Sequence, residues 1–466
     1  MNTSSVMPEV IGQPRDFPAV EQLMQQAKLS EAIALLPRPI AVQIVQEQVS
    51  RQKQALADSG QAITMAALIA GIDRALREFK RLEMTPVINA AGIVVHTNLG
   101  RAPLSDELFE AARRIVRGYS NIEFDLNKGV RGKRGVACER YLATIAGAEA
   151  ATVVNNCAAA LFLMLNTFAN RRRVVISRGE LVQIGGGFRI PDILRRSGAK
   201  LCEVGATNIT TLEDYEAAVD DRTALILKVH KSNFVQAGFT EEVALQELVP
   251  LARQHGKLII NDLGSGVLIP TRAAVGYDEP TVQQSVKAGA NLTSFSGDKL
   301  LGGVQAGLIV GRAELVAKVK KNPLFRTVRV DKMVFAMLER LLSSYLDGTH
   351  QQEIRLWRML SVAESELYKT ARKMLKDLGT PSGLSVESTD AYVGGGSLPE
   401  ASIPSVGIVF SAPYKASSLM RVFRQMEPPI IGRIEQEHFV LDLKTVAPDE
   451  LPVVQQAIAS VLKAKR

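Results

Sequence analysis

Apolar residues in the first eighty positions recur at steps of three and four, which is the spacing of one face of an α-helix. The pattern covers residues 20–36 and 40–56, is interrupted at Pro37-Arg-Pro39, and resumes over residues 63–79. It predicts a small helical region at the start of the chain.

From about residue 85 the pattern changes, and short runs rich in Val and Ile alternate with helical stretches. These runs are residues 151–154, 173–176, 200–204, 224–229, 257–260 and 306–310. Such alternation is typical of a mostly parallel sheet covered by helices, whose ligands bind beyond the carboxyl ends of the strands. We therefore predict an α/β fold.

Domain boundaries follow from these changes of pattern. The predicted segments are a helical N-terminal domain at 1–62, a connecting helix and linker at 63–84, a large domain at 85–335 and a smaller C-terminal α/β domain at 336–466. In the last segment, residues 406–410 and 438–443 are predicted strands. Gly394-Gly-Gly-Ser397 is predicted to be a turn and not a phosphate loop, because no strand-turn-helix pattern surrounds it.

The composition limits the class of protein. A chain of 466 residues with 46% hydrophobic and 22% charged residues is ordinary for a globular protein. Its three cysteines are too few and too scattered for a disulfide framework, which favours a reducing cytoplasm. The five histidines lack a His-Glu-x-x-His pattern, so we expect no metal site. The longest apolar run, residues 62–72, is too short to span a bilayer, and no signal peptide or membrane contact is expected.

The net charge of +8 permits an anionic partner, and its distribution is uneven. Residues 1–80 carry eight basic and eight acidic side chains and are neutral. The basic excess lies in clusters at 113–134, 171–178 and 318–332. Such clusters are usually solvated surface, but a polyanionic substrate would also use them.

Lys299 carries the strongest chemical signal. It lies in a Ser-x-x-Lys-x-x-Gly-Gly pattern that begins at Ser296, and it follows Asp262, the end of an apolar run, by 37 residues. Taken singly, these residues suit a surface lysine and a helix-capping aspartate. As an ordered pair they indicate pyridoxal phosphate (PLP), which would be bound covalently by Lys299 while the Asp262 carboxylate keeps the pyridine nitrogen protonated.

Residues 153–160 predict a strand that turns directly into a helix. The free N–H groups at the start of a helix bind phosphate well, and the small residues there allow close approach. Asn156, Cys157 and Ala158 are therefore candidate ligands of the cofactor phosphate, and Ser296 would add a hydroxyl. The simpler alternative is a capped helix after a tight turn.

Three arginines are candidates for binding a second anion. Arg101 follows a strand-like segment at 87–95, and Arg326 and Arg329 are three residues apart. A guanidinium matches an oxyanion geometrically, so the three could bind a phosphate-like group. Exposed arginines are common, and spacing alone does not decide the matter.

Several of these segments together resemble the bacterial selenocysteine synthase family, the L-seryl-tRNA(Sec) selenium transferases. The resemblance covers essentially the whole chain and is carried by residues 87–101, 153–160, 177–191, 294–303, 323–333 and 428–434. It implies the aspartate-aminotransferase fold (fold type I) of PLP enzymes. It also implies conversion of seryl-tRNA(Sec) to selenocysteinyl-tRNA(Sec), by PLP-dependent loss of water and addition of selenium from selenophosphate.

The resemblance further assigns PLP to Lys299, and selenophosphate to Arg101, Arg326 and Arg329. It implies a homodecamer, a pentamer of dimers, whose N-terminal domain binds the tRNA; DNA is not an expected partner. Two positions depart from the family pattern, Ile209 in place of a common arginine and Lys133 in place of a common serine. The roles of both, and of Arg433, are left open.

Two other functions remain in view. A PLP-dependent lyase or aldolase acting on a free small molecule would share the core, but it would not need residues 1–80. A non-catalytic tRNA-binding or assembly protein on a decayed PLP fold is opposed by the presence of both Lys299 and Asp262.

Overall fold

The computed structural model describes residues 8–464 except 397, 399 and 400. The parts of the predicted terminal domains at 1–7 and 465–466, and Ser397 of the predicted turn, lie outside the described residues. The chain folds into two compact units, one up to Pro86 and one from Val87 onward. Within the described residues, no helix is long and apolar enough to cross a bilayer, and no group of three or more His, Cys, Asp or Glu side chains is placed to hold a metal ion.

The first unit is helical. Its elements are β1 (Val10–Ile11), α1 (Val20–Met24), α2 (Ser30–Ala34), α3 (Arg38–Ser59), β2 (Ile63–Thr64) and α4 (Met65–Lys80). Helix α3 begins directly after Pro37 and ends at Gly60, whose φ of 67° provides the left-handed C-cap. Thr64 caps the start of helix α4, because its side chain accepts a hydrogen bond from the Ala67 N–H.

Helix α4 belongs to the core of this unit. Residues 63–84, predicted from the sequence as a connector, include this helix, and it buries Leu68, Ile72 and Leu76 against Leu23 and Val45. The amphipathic face predicted at steps of three and four is the face that is buried.

The second unit is built on a mostly parallel sheet. Its strands are β3 (Ile88–Asn89), β4 (Phe124–Asp125), β5 (Val130–Arg131), β6 (Ala150–Val154), β7 (Arg173–Ser177), β8 (Gln183–Ile184), β9 (Phe188–Arg189), β10 (Lys200–Val204), β11 (Thr223–Val229), β12 (Leu258–Gly264), β13 (Leu292–Ser296), β14 (Gly307–Gly311), β15 (Leu384–Tyr392), β16 (Ser402–Phe410), β17 (Ile430–Ile431), β18 (Arg433–Glu435) and β19 (His438–Asp442). Among the described residues, seven strands form the main sheet in the order β10-β7-β11-β12-β13-β14-β6. Strand β14 runs antiparallel to both of its neighbours, and the other pairings are parallel. The predicted mostly parallel α/β sheet is confirmed.

Helices cover both faces of this sheet. The helices of the second unit are α5 (Asp106–Val116), α6 (Val136–Ala146), α7 (Cys157–Ala169), α8 (Ile190–Arg196), α9 (Leu212–Ala218), α10 (Leu245–Gln254), α11 (Arg272–Val275), α12 (Val282–Ala288), α13 (Ala313–Lys321), α14 (Lys332–Leu346), α15 (His350–Glu353), α16 (Arg355–Ser361), α17 (Glu364–Asp377), α18 (Ala416–Arg424) and α19 (Leu451–Lys463), of which the last three pack on another sheet. In strand β14, Leu308 and Val310 belong to one apolar cluster and Ile309 to another. The strand is therefore buried on both faces, which explains its continuous apolar sequence.

A second, antiparallel sheet follows in the order β15-β16-β19-β18, and α17, α18 and α19 contribute apolar residues to its core. Both strands predicted in this region are present, at β16 and β19. The short strand β3 pairs with β17 and is the regular part of the strand-like segment at 87–95. Beyond it, Gly92 adopts φ of 75°, and a Cβ there would lie 2.3 Å from Nη1 of Arg433. The extended pattern is interrupted because the chain passes an ion pair at this point.

That ion pair gives Arg433 a structural role. Its Nη1 lies 2.8 Å from Oδ2 of Asp442, whose side chain is fully buried. The same guanidinium donates to the carbonyls of Ala91 and Asp390. Arg433 thereby connects the second sheet to the segment that leads towards Arg101.

Candidate active site

A cavity of about 500 Å³ lies where strands of the main sheet end. Residues at or just beyond the carboxyl ends of β6, β11, β12 and β13 line it, as expected for ligand sites in open α/β sheets. All six predicted cofactor residues line this cavity: Asn156, Cys157, Ala158, Asp262, Ser296 and Lys299. A larger cavity of about 780 Å³, lined in part by Lys133, lies elsewhere and contains none of the six.

Lys299 lies in a tightly fixed turn after β13. The Leu300 N–H donates to the Ser265 carbonyl, and the Gly302 N–H donates to the Lys299 carbonyl. Burial lowers the pKa of the Lys299 amine, while the neighbouring Cys157 and Asp262 partly oppose that shift. A lowered pKa increases the neutral fraction of the amine at a given pH, and the neutral amine is the nucleophilic form.

Asp262 lies in β12 directly opposite Ser294 of β13. The Ser294 hydroxyl donates to Oδ1 of Asp262 at 2.8 Å, and the Cys157 thiol donates to the same oxygen at 3.3 Å. Burial raises the pKa of the Asp262 carboxyl, and these two hydrogen bonds oppose the shift because they favour the anion. A buried carboxylate at this point is suited to pair with a cation.

The start of α7 forms another wall of the cavity. The Asn156 side chain caps the helix by accepting a hydrogen bond from the Ala159 N–H at 2.8 Å. Strand β14 passes very close, because a Cβ at Gly307 would lie 2.0 Å from the Asn156 carbonyl oxygen. The first N–H groups of a helix have no acceptor within the helix, so this end favours an anionic group in the cavity.

Arg101 also lines the cavity. It adopts a positive φ of 68°, which is unfavourable for a residue with a side chain, and its Nη1 lies 2.7 Å from Oδ2 of Asp298. Oδ1 of Asp298 is buried without a hydrogen bond. The turn that contains Lys299 therefore also holds a guanidinium beside the cavity.

Arg326 and Arg329 do not line this cavity. Arg326 ends a short 3-10 helix, and the backbone of Arg329 forms a bridge with Val154 at the end of β6. The Arg329 side chain lies 3.4 Å from Glu123, which also pairs with Arg131. Within one chain, the structure does not bring this pair together with Arg101 in the cavity.

Several lining residues had no predicted role in the sequence, among them two polar side chains and two glycines. His230 follows β11, and its Nε2 lies 3.0 Å from Oε1 of the buried Glu279. Ser232, two residues later, also lines the cavity, as do Gly395 and Gly396. Gly396 has φ of 90°, and a Cβ there would lie 2.7 Å from Nζ of Lys299. The sequence indicated Gly395 and Gly396 only as part of a predicted turn. It gave no sign that this turn lies beside Lys299, because the contact joins segments far apart in the chain.

Comparison with known proteins identifies the family. The family described as SelA, L-seryl-tRNA selenium transferase, matches residues 87–447. The chain belongs to this family. The resemblance predicted from the motifs is therefore confirmed.

Relatives of this family match almost the whole chain. An L-seryl-tRNA(Sec) selenium transferase from Geotalea daltonii is 42% identical over 457 residues, covering 96% of this chain and 99% of the relative. One from Aquifex aeolicus is 40% identical over 448 residues, covering 94% and 99%. Both alignments are longer than the second unit, so they include part of the first.

A solved structure supports the fold. The chain of a D-glucosaminate-6-phosphate ammonia-lyase superposes with a TM-score of 0.60, covering 83% of this chain and 98% of that one at 20% sequence identity. At that identity the likeness concerns the fold alone. It agrees with the α/β fold predicted from the sequence of this chain.

Proposed function

We propose that this chain converts L-seryl-tRNA(Sec) to L-selenocysteinyl-tRNA(Sec), with PLP as cofactor and selenophosphate as the selenium donor. One observation carries the proposal: a chain about 40% identical over its length to selenium transferases places a lysine and a buried carboxylate in one cavity. The proposed location is the cytoplasm, where charged tRNA is available.

The residues of the cavity fit PLP. Lys299 supplies an amine of lowered pKa for the cofactor carbonyl, and Asp262 supplies a carboxylate for the ring nitrogen. The start of α7, with Asn156 and Ala158, and the Ser296 hydroxyl would hold the phosphate. When bound, PLP withdraws electrons from the serine α-carbon, which makes its proton acidic and allows the β-hydroxyl to leave.

Lys299 is the proposed proton carrier of the reaction. An amine with a lowered pKa accepts the α-proton more readily near neutral pH and returns it later in the cycle. Asp262 would stabilise the protonated ring nitrogen throughout. The carboxylate of a tRNA-bound serine is an ester, so no arginine is needed to bind a free carboxylate, in keeping with the structural role of Arg433.

Arg101, Arg326 and Arg329 are proposed to bind the selenophosphate oxyanion. Arg101 lies at the cavity of its own chain, whereas the other two lie outside it. We therefore propose that Arg326 and Arg329 reach the cavity of a second copy within a dimer. A homodecamer, a pentamer of such dimers, is the proposed assembly.

The first unit is the proposed tRNA-binding region. Its neutral charge over residues 1–80 favours recognition of tRNA shape over general attraction to phosphate. A lyase or aldolase acting on a free small molecule shares the fold of the second unit. The near-full-length match to the selenium transferases favours the tRNA substrate instead.

The function is tested with purified full-length protein and PLP. Seryl-tRNA(Sec) and labelled selenophosphate should give labelled selenocysteinyl-tRNA(Sec), while free L-serine should give no selenocysteine. A protein that binds PLP and converts free serine, but not seryl-tRNA(Sec), would overturn the proposal in favour of the small-molecule enzyme.

A further inference from the structure

Cys157 contacts a different part of the site from the one its sequence position indicates. The start of α7 suits a phosphate, yet the Cys157 side chain turns to the sheet, where its sulfur lies 3.3 Å from Oδ1 of Asp262. Burial raises the pKa of the Cys157 thiol well above its usual value, so the thiol stays protonated and donates the hydrogen bond.

Strand register supplies a second donor to the same oxygen. Because Asp262 and Ser294 are direct partners in the parallel β12–β13 pair, the Ser294 hydroxyl reaches Oδ1 at 2.8 Å. From the described residues, Oδ2 of Asp262 receives no hydrogen bond. Two donors on one oxygen fix the plane of the carboxylate and leave the other oxygen for a ligand.

The surroundings of Asp262 make these donors important. Burial favours its neutral form, and a neutral carboxyl would not stabilise a protonated ring nitrogen. The titratable groups that act on Asp262 are Lys299, His230 and Cys157. A second hydrogen bond to Oδ1 helps to keep the carboxylate charged.

We propose, on the basis of the proposed PLP function, that Cys157 is a positioning residue: its thiol and the Ser294 hydroxyl hold Oδ1 of Asp262 so that Oδ2 faces the cofactor ring nitrogen. Cys157 then serves the ring and not the phosphate. If Cys157 serves the ring, ligands with and without a phosphate should both depend on the thiol. If it serves the phosphate, only the phosphorylated ligand should.

The test compares PLP with pyridoxal, which has the same ring and no phosphate. Full-length apo protein is titrated with each ligand, and affinity and the absorbance maximum of the bound ligand are measured. Cys157→Ala should weaken both ligands by the same factor, about tenfold to a hundredfold for one lost hydrogen bond to a charged group, and should shift the absorbance of both. Cys157→Ser should restore most of the loss, because a hydroxyl also donates.

Controls separate the possible results. Cys202→Ala changes a cysteine on β10 that does not line the cavity, and should leave both affinities unchanged. Ser294→Ala should also weaken the binding of PLP and of pyridoxal by equal factors. If Cys157→Ala does not fold, Ser294→Ala provides the test.

Three results would overturn the inference. Loss of affinity for PLP alone would place Cys157 at the phosphate. Unchanged affinities in Cys157→Ala and Ser294→Ala, with wild-type protein binding PLP, would refute the positioning role and leave the proposed function intact. Wild-type protein that binds neither ligand would remove both together.

Discussion

The two units of this chain differ in what they bury. In the described part of the first unit, every buried side chain is apolar, including Leu23, Leu68 and Ile72. The second unit also buries charged groups, among them Asp262, Glu180 and Asp298. Burying a charge costs free energy unless a partner compensates, so a fold that does so repeatedly has a reason to keep those groups.

Buried charges in the second unit serve either structure or ligand binding, and their hydrogen-bond partners distinguish the two cases. Asp442 is fully buried and has a complete set of partners, since it receives hydrogen bonds from Arg433, Thr389, Ser405 and the Lys444 backbone. Asp262 has two donors on one oxygen and faces a cavity. A fully satisfied buried charge indicates structure, whereas a half-satisfied one at a cavity indicates a ligand.

The strongest test of this distinction is Lys299→Ala. Removing the amine should lower the rate of selenocysteinyl-tRNA formation by about a thousandfold or more, since both the proposed covalent anchor and the proposed proton carrier are lost. Borohydride treatment of PLP-loaded wild-type protein should label the peptide that contains Lys299. Lys369→Ala, at an exposed lysine paired with Glu366, is the matched control and should be active. Label on another lysine would show the assignment to be wrong.

Arg433→Met tests whether Asp442, the buried charge with a complete set of partners, serves stability. The change leaves the Asp442 carboxylate buried without its cation and should lower the free energy of unfolding by about 3–5 kcal/mol. The absorbance of bound PLP in the folded protein should stay unchanged. Denaturant unfolding and spectra of the same sample check both points, and a spectral change without loss of stability would place Arg433 in the site.

Deleting residues 1–86 tests the first unit as a whole. The remaining unit keeps its own core and should still bind PLP with a normal spectrum. Affinity for tRNA(Sec) should fall about a hundredfold or more, equivalent to about 2.7 kcal/mol. Filter binding measures the tRNA and absorbance measures the cofactor. A truncated protein with full tRNA affinity would refute the proposed role of the first unit.

Arginine substitutions test whether Arg326 and Arg329, which lie outside the cavity of their own chain, serve the site as Arg101 is proposed to do. Arg101→Ala, Arg326→Ala and Arg329→Ala should each raise the selenophosphate concentration required by about tenfold to a hundredfold, with unchanged PLP absorbance. Lysine at each position should rescue only partly, because it lacks the bidentate fork. Variants that fail to release water from seryl-tRNA, or that lose PLP, would exclude a role at the donor.

The smallest expected effect concerns pH. Because burial lowers the pKa of Lys299, more of its amine is neutral at a given pH, and apo protein should react with PLP at a lower pH than free lysine does. The midpoint of the rate against pH should fall below about 10.4, the value of an ordinary lysine. Stopped-flow absorbance measures the rate of PLP binding by the protein and by a reference, free lysine whose α-amino group is blocked. A midpoint at or above that of the reference contradicts the effect of burial.

Local pattern predicted most of the fold. Strands β6, β7, β11, β12 and β14 were indicated because apolar runs mark strands that are buried on both faces. The edge strand β10 was indicated as well, although only Val204 of this strand is buried. Strand β13 was not, because Thr293, Ser294 and Ser296 make its sequence look polar. The hydroxyls of Thr293 and Ser294 are satisfied inside the protein, by Ser285 at 2.7 Å and by Asp262 at 2.8 Å. A polar strand of this kind depends on hydrogen-bond partners elsewhere in the chain, which the hydrophobic pattern of the strand itself does not reveal.

The sequence also located part of the candidate site. Lys299, Asp262 and the start of α7 lie at element ends, which spacing locates, and the structure places them around one cavity. The approach of Gly396 to Lys299, and the distance of Arg329 from the cavity, depend on how far-separated segments return to the sheet. Sequence spacing carries no information on those distances.

The closeness of Gly307 to the start of α7 has a consequence for tolerated variation. Any side chain at 307 would meet the Asn156 carbonyl and push the beginning of the helix away from β14. In a library with all twenty amino acids at this position, we expect glycine alone to survive selection for selenoprotein synthesis. A residue inside the sheet would then be as intolerant of replacement as the lysine itself, although it takes no part in the chemistry.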